Sequence, residues 1–293
     1  MFQGFQSHHI EVSPGLTIHA LVGGSGPPVL LLHGYPQTHA CWHVVAPRLV
    51  QAGMTVVVPD LRGYGDSSKP VSTKDHATYS KRSMAADQVA LMDRLGYSAF
   101  FVAGHDRGAR VAHRMALDWP QCVQALAVLD ISPTATMYGA TDLAFATRYY
   151  HWFFLIQPSP LPERLIAADA DFFLNYTLSA WSGNNLGVFH PQALAEYQRC
   201  FSDPDCIAAS CEDYRAAATI DLEHDANDIG RRLEMPLLVL WGQHGVVGRL
   251  FDPVANWQEK AWQVSGWSLP CWHFLPEEAP QATAEALIGF FRQ

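Results

Sequence analysis

Five short apolar runs punctuate the chain: residues 29–32 (VLLL), 54–58 (MTVVV), 100–103 (FFVA), 126–129 (LAVL) and 237–241 (LLVLW). Their apolar residues are continuous rather than alternating. That pattern marks strands covered on both faces, as in a parallel sheet flanked by helices. Helix-like segments separate them, including 79–95 and 109–119, the second stopped by Pro120. Alternating buried strand and helix predicts an α/β domain with a mostly parallel central sheet. In such sheets reactive groups gather at the carboxyl ends of strands. His33, Asp106 and Asp130 each stand just past such an end.

From about residue 132 to 220 the pattern changes, and no buried strand is evident. Residues 141–156 are expected to be helical and are crowded with aromatics; further helices are expected at 164–181, 191–200 and 205–218. This predicts an all-helical cap inserted into the sheet domain. The expected division is core at 1–132, cap at 133–222 and returning core at 223–293. The returning core carries predicted helices at 254–260 and 281–291. No internal repeat or low-complexity tract interrupts the chain.

Composition narrows the function. The 293 residues are 49% hydrophobic with a formal net charge of -9, so long-range fields repel anions and nucleic acid is an unsuitable partner. An anionic substrate would need local cations. Six cysteines (41, 122, 200, 206, 211 and 271) show no metal-ligand spacing, which predicts free thiols and no metal site. The N-terminal residues lack a signal-peptide pattern and no apolar run is long enough for a membrane span. A cytoplasmic protein with no membrane contact is the expectation.

The chemistry concentrates in "GHDRGAR", residues 104–110. A strand, a Gly-x-Asp-x-Gly turn and a helix form a nucleophile elbow with aspartate at the apex. An aspartate has no proton to lose and is already an anion. It can displace a leaving group from carbon and form an ester, whose hydrolysis then needs a base. His273, in "WHFLPEEAP", is the candidate base. The loop after 237–241 holds no carboxylate before Asp252, so Asp130 is the candidate partner of His273. Asp106, Asp130 and His273 follow the nucleophile–acid–histidine order of α/β-hydrolases. The backbone N–H groups of Tyr35 and Arg107 are the candidate oxyanion hole.

Several stretches together, "HGYPQT", "DLRGYGDSS", "GHDRGARVAHRMALD", "YYHWFFL", "EDYRAAATIDLEHD" and "HFLPEEAP", resemble the fluoroacetate dehalogenases of the α/β-hydrolase superfamily. The resemblance runs from about His33 to the C-terminus. It implies that Asp106 is the nucleophile and His273, oriented by Asp130, the base. It implies that Arg107 and Arg110 bind the substrate carboxylate, and that His151, Trp152 and Tyr214 hold the halide. It further implies a homodimer needing no cofactor, which converts fluoroacetate to glycolate and fluoride and also takes chloro- and bromoacetate. Trp181 is a candidate pocket-lining residue.

Epoxide hydrolases share the aspartate, histidine and acid, and are the alternative. They use two cap tyrosines, for which Tyr214 and Tyr149 or Tyr150 are candidates. A neutral epoxide, however, needs no arginine clamp. A non-enzymatic binding relative could dispense with nucleophile and base, and both are present here. Two positions depart from the family pattern: Trp272 replaces a small residue before His273, and Tyr35 stands where phenylalanine is frequent. Both bear on substrate preference.

Overall fold

The computed structural model describes residues 1–292. Eight strands form one sheet in the order β1-β2-β4-β3-β5-β6-β7-β8. The five apolar runs become β3 (Pro28–Leu32), β4 (Thr55–Pro59), β5 (Phe100–His105), β6 (Val123–Leu129) and β7 (Leu237–Gly242). From β4 to β8 all neighbours pair in parallel. Residues 29–32, 56–58, 102–103 and 126–129 are fully buried, as strands covered by helices on both sides must be. Burying this apolar stack supplies most of the driving force for the fold.

Three strands lie outside the apolar runs. β1 (Gln6–Ser13) and β2 (Leu16–Gly24) form an antiparallel ribbon that joins β4. β8 (Val264–Leu269) closes the opposite edge against β7.

Between β6 and β7 the described residues contain helices and no strand, from Thr134 to Asn227. Two expected helices are corrected. Residues 141–156 form two short helices, Leu143–Arg148 and Tyr150–Phe154, because Tyr149 leaves helical geometry at φ -110, ψ 38. Residues 164–181 likewise split into Leu161–Ala167 and Ala170–Trp181, where Asp169 caps the second helix through Phe172 N–H. The expected boundary at 222 falls inside the helix Ile220–Asn227. No helix is long and apolar enough to cross a membrane.

Candidate active site

Asp106 is the single residue between β5 and the helix Arg107–Asp118. Its φ of 47 and ψ of -115 lie in a region that side-chain-bearing residues rarely adopt. The turn is held from both sides: Asp106 N–H donates to Leu129 O, and Asp106 O accepts from the N–H groups of Ala109 and Arg110. The flanking glycines are required by close approach. A Cβ on Gly104 would lie 2.6 Å from the Ala109 backbone, and one on Gly108 would lie 2.4 Å from His33 O. Strand and helix therefore pack backbone to backbone, and the strain is concentrated in the residue that points into the site.

Asp106 is buried at the helix N-terminus, where the helix dipole favours negative charge. Oδ1 accepts from Tyr35 N–H at 2.9 Å. Burial would raise this carboxyl, but the charges of His273, Arg107 and Arg110 outweigh it and hold the group below the usual carboxylate range. Asp106 is an anion at neutral pH.

His273 and Asp130 meet from distant parts of the chain. Asp130 follows β6 with φ 54, and its Oδ2 accepts from His273 Nδ1 at 2.6 Å. Its Oδ1 accepts from Gly242 N–H at 2.9 Å, which locks the carboxylate plane. His273 Nε2 has no partner and stands free. Burial alone would lower His273; the bond to Asp130 and the charges of Asp130 and Asp106 outweigh it and raise its pKa. His105 lies under the same ring at a centroid distance of 4.7 Å, and its Nε2–H donates to His273 O at 2.8 Å. Burial and the His273 charge push His105 down to about 3, so it stays neutral.

The two arginines differ sharply. Arg107 is buried and its Nε and Nη2 grip Asp213 at 3.0 and 2.7 Å; Nη2 also donates to Asp213 O. Only Nη1 lacks a partner. Its guanidinium lies 4.2 Å over the Tyr214 ring. Arg110 is 4% exposed, which excludes a surface role. It donates through Nη1 to Ser132 O at 3.2 Å and Thr134 Oγ1 at 2.8 Å, and stacks 4.8 Å from Trp152. It forms no ion pair among the described residues, and its Nε is unpartnered.

An aromatic wall faces these groups from the helical insert. His151 lies 4.4 Å from Trp181 and 5.6 Å from Tyr214, centroid to centroid. Trp152 lies 6.5 Å from Tyr214. Burial drives the His151 imidazole well down and the Tyr214 phenol well up, so both are neutral donors. His151 Nδ1 and Tyr214 OH are buried without partners, as is Tyr35 OH. Buried polar atoms without partners cost free energy unless a ligand or water satisfies them. Trp181 bridges the wall to the base, with its ring 5.4 Å from His273.

A cleft of about 210 Å³ is lined by residues that include Tyr149, Tyr176, Trp181, Trp272 and His273. Asp106, Arg107 and Arg110 are buried and do not line it. Trp272 lines this cleft, with Arg249 stacked 5.1 Å from it.

The structure thus brings all ten sequence-expected residues to one locality. It adds His105, and Asp213 with the Tyr64 OH and Lys81 Nζ that donate to it, which sequence reasoning missed. The one triad of metal-capable side chains among the described residues, His19, His39 and Asp60, is a hydrogen-bonded knot. Both rings bond Asp60 at 2.8 Å, and two backbone N–H groups donate to it as well.

Comparison with known proteins identifies the family. The profile of the α/β hydrolase fold family matches residues 27–277. Fluoroacetate dehalogenase of a Burkholderia species is 47% identical, covering 99% of this chain and 95% of that one. Soluble epoxide hydrolase of Corynebacterium sp. strain C12 is 35% identical over 97% of both chains. A solved structure from Nostoc sp. PCC 7120, provisionally called an α/β hydrolase, superposes with a TM-score of 0.97 at 57% identity and covers 99% of both chains. This chain belongs to the α/β-hydrolase enzyme family, in the branch that includes fluoroacetate dehalogenase and soluble epoxide hydrolase.

Proposed function

We propose that the protein hydrolyses the carbon–halogen bond of small 2-haloacids through a covalent aspartyl ester, with the helical insert as the cap of the site. The observation that carries this reading is Arg110, a buried cation with no carboxylate partner. An unpaired buried charge costs several kcal/mol, on the order expected for an ion taken out of water. A substrate carboxylate would offset that cost. The 47% identity to fluoroacetate dehalogenase points the same way.

The proposed reaction has two steps. Asp106 Oδ2, free of hydrogen bonds among the described residues, attacks Cα of the haloacid. The C–O bond forms as the carbon–halogen bond breaks, and the halide leaves with the bonding pair. Its growing charge is met by donors from His151, Trp152 and Tyr214. Neutral donors suit this task, because they strengthen as charge develops without pairing with Asp106 beforehand. Arg107 and Arg110 hold the carboxylate and offset its repulsion by Asp106.

His273 Nε2 then takes a proton from water, whose oxygen attacks Cγ of the ester. The oxyanion forms on Oδ1, which Tyr35 N–H already holds, with Arg107 N–H as second donor. The C–O bond to the hydroxyacid breaks and the alkoxide recovers the proton from His273; Asp106, left as the acid by the second proton of the water, loses that proton through His273 to solvent and is restored as the anion. Esterification also removes the Asp106 charge that helps raise His273. The imidazole becomes easier to keep neutral at the step where it serves as base.

An epoxide hydrolase is the second reading. It is favoured by Tyr149 and Tyr214, both buried with Asp106 among the charges they sense; Tyr150 is 39% exposed and is a poorer candidate. Ion-selective detection of halide from fluoro-, chloro- and bromoacetate, beside diol formation from styrene oxide, separates the two, with Asp106→Ala as control. Halide release abolished by that substitution supports dehalogenation. Diol formation without halide release overturns it.

A further inference from the structure

Asp213 sits on the helix Pro204–Ala218 of the insert, yet every side chain bonded to it belongs to the core. Arg107 comes from the nucleophile elbow, Tyr64 from the loop after β4, and Lys81 from the first residue of the helix Lys81–Arg94. Arg107 donates through Nε and Nη2, Tyr64 OH donates at 2.7 Å, and Lys81 Nζ donates to Oδ1. Asp213, Arg107, Tyr64 and Lys81 are all buried. The two-point grip on Nε and Nη2 fixes the plane of a guanidinium that otherwise rotates about several bonds. Tyr214 packs against the same guanidinium from the neighbouring position.

Charge bookkeeping gives the grip a purpose. Lys81 also lies 3.6 Å from Asp221, so Arg107, Lys81, Asp213 and Asp221 form two cations on two carboxylates. Arg107 is thereby neutralised as a source of net charge and retained as a source of direction, through its one free nitrogen, Nη1. Arg110, without an ion pair, supplies the charge. The arginines divide the work of holding a carboxylate.

We infer that Asp213 is a positioning residue for haloacid binding, fixing Arg107 so that Nη1 alone is presented to the substrate carboxylate, and that the clamp is complete only when the insert is seated on the core. The inference rests on the haloacid reading above and names a residue that acts on the substrate only through Arg107.

The test is a double-mutant cycle on the full-length protein, read by chloride release from chloroacetate and by the inhibition constant of acetate. Asp213→Asn should raise KM roughly tenfold, the loss expected when one directed bond is misaligned, with kcat altered less than about threefold. In an Arg107→Met background the same change should leave KM unaltered. Tyr64→Phe keeps all charges and removes one bond to Asp213. It should raise KM by a smaller factor, again only when Arg107 is present, and it serves where Asp213→Asn does not fold. A KM rise of equal size in both backgrounds would overturn the inference, since a merely structural carboxylate acts without Arg107. An unchanged or lowered KM with Arg107 present would also overturn it. If Arg107→Met itself leaves the chloroacetate KM unchanged, the carboxylate role of Arg107 fails first, and the inference falls with it.

Discussion

Replacing Arg110 with methionine should separate stability from substrate binding. The substitution keeps an unbranched side chain and removes a charge that is 4% exposed and unpaired. The losses are countable. Nη1 gives up its bonds to Ser132 O and Thr134 Oγ1 and Nη2 its contact with Met137 Sδ, about 1.5 kcal/mol for each bond to oxygen and less for the sulfur. The stack 4.8 Å from Trp152 contributes about 1–2 kcal/mol when desolvated. Relief from burying an unpaired cation returns several kcal/mol, roughly the same amount. The ligand-free protein should therefore keep its Tm within about 6 °C, at roughly 3 °C per kcal/mol for a chain of this size. Binding is a different matter. Charge-assisted bonds to a carboxylate contribute about 1.5–3 kcal/mol each, and losing about 3 kcal/mol in all raises KM roughly 150-fold. Chloride release from chloroacetate gives the KM, and thermal unfolding with and without glycolate gives the linked stabilisation. Glycolate should raise the Tm of the wild type and not that of the variant. A Tm loss above about 10 °C with KM changed less than about threefold would show that Arg110 is structural.

Other outcomes follow from the same geometry. In His273→Asn, one equivalent of halide should be released while the Asp106 ester accumulates; intact mass after acid quench detects it, and its absence would remove His273 from the hydrolytic step. The wild type should behave similarly as pH falls. Asp130 and Asp106 raise His273, so protonation disables the base first, while Asp106 is held below the usual range and stays ionised. Ester hydrolysis should slow before halide release does, and an ester level that is constant down the pH series would contradict that order. Trp181→Ala removes the ring between His151 and His273 and should shift kcat/KM toward 2-chloropropionate over chloroacetate by roughly tenfold, as one methyl group in a pocket does. Gly108→Ala forces a Cβ to 2.4 Å from His33 O; thermal unfolding should show a loss of about 1–3 kcal/mol or no folded protein.

Much of this was legible in the sequence because burial on both faces writes an unbroken apolar run, and β3 to β7 carry one each. β1, β2 and β8 carry none. β1 reads QSHHIEVS with most positions exposed, and β8 reads VSGWSL, where Gly266 allows the chain to approach Val239 O. β1 and β8 are edge strands, half-wet, and their polar residues hide them; β2 lies inside the sheet, but Thr17 and His19 break its apolar run. The break at Tyr149 was also hidden, since aromatics occupy nearly every position from 149 to 154 and leave no period to follow. The elbow was legible because its glycines and aspartate are adjacent. Asp213 was not, because its meaning depends on Arg107, 106 residues away in sequence. Arg110 was ambiguous for the opposite reason: a first-turn arginine is usually a surface residue, and only its burial and lack of an ion pair reveal its cost.

The protonation states on the two sides of Asp106 have one logic. On the side of the helical insert, burial strips the charge from His151 and keeps Tyr214 a phenol, so the donors proposed to meet the halide are neutral. A cation in their place would pair with Asp106 in the resting site and blunt the nucleophile. On the core side the cations are permanent, yet Arg107 is tied to Asp213 at 2.7 and 3.0 Å and cannot turn onto Asp106. His105, directly before the nucleophile, is pushed down to about 3 and supports the His273 backbone without competing for its proton. His273, the base of the proposed second step, is instead raised against burial by its bond to Asp130 and by the charges of Asp130 and Asp106. In a chain of net charge -9, this local arrangement is what the proposed reaction needs for an anionic nucleophile to receive an anionic substrate. Every cation near it is either spent on a carboxylate or held for the one that arrives.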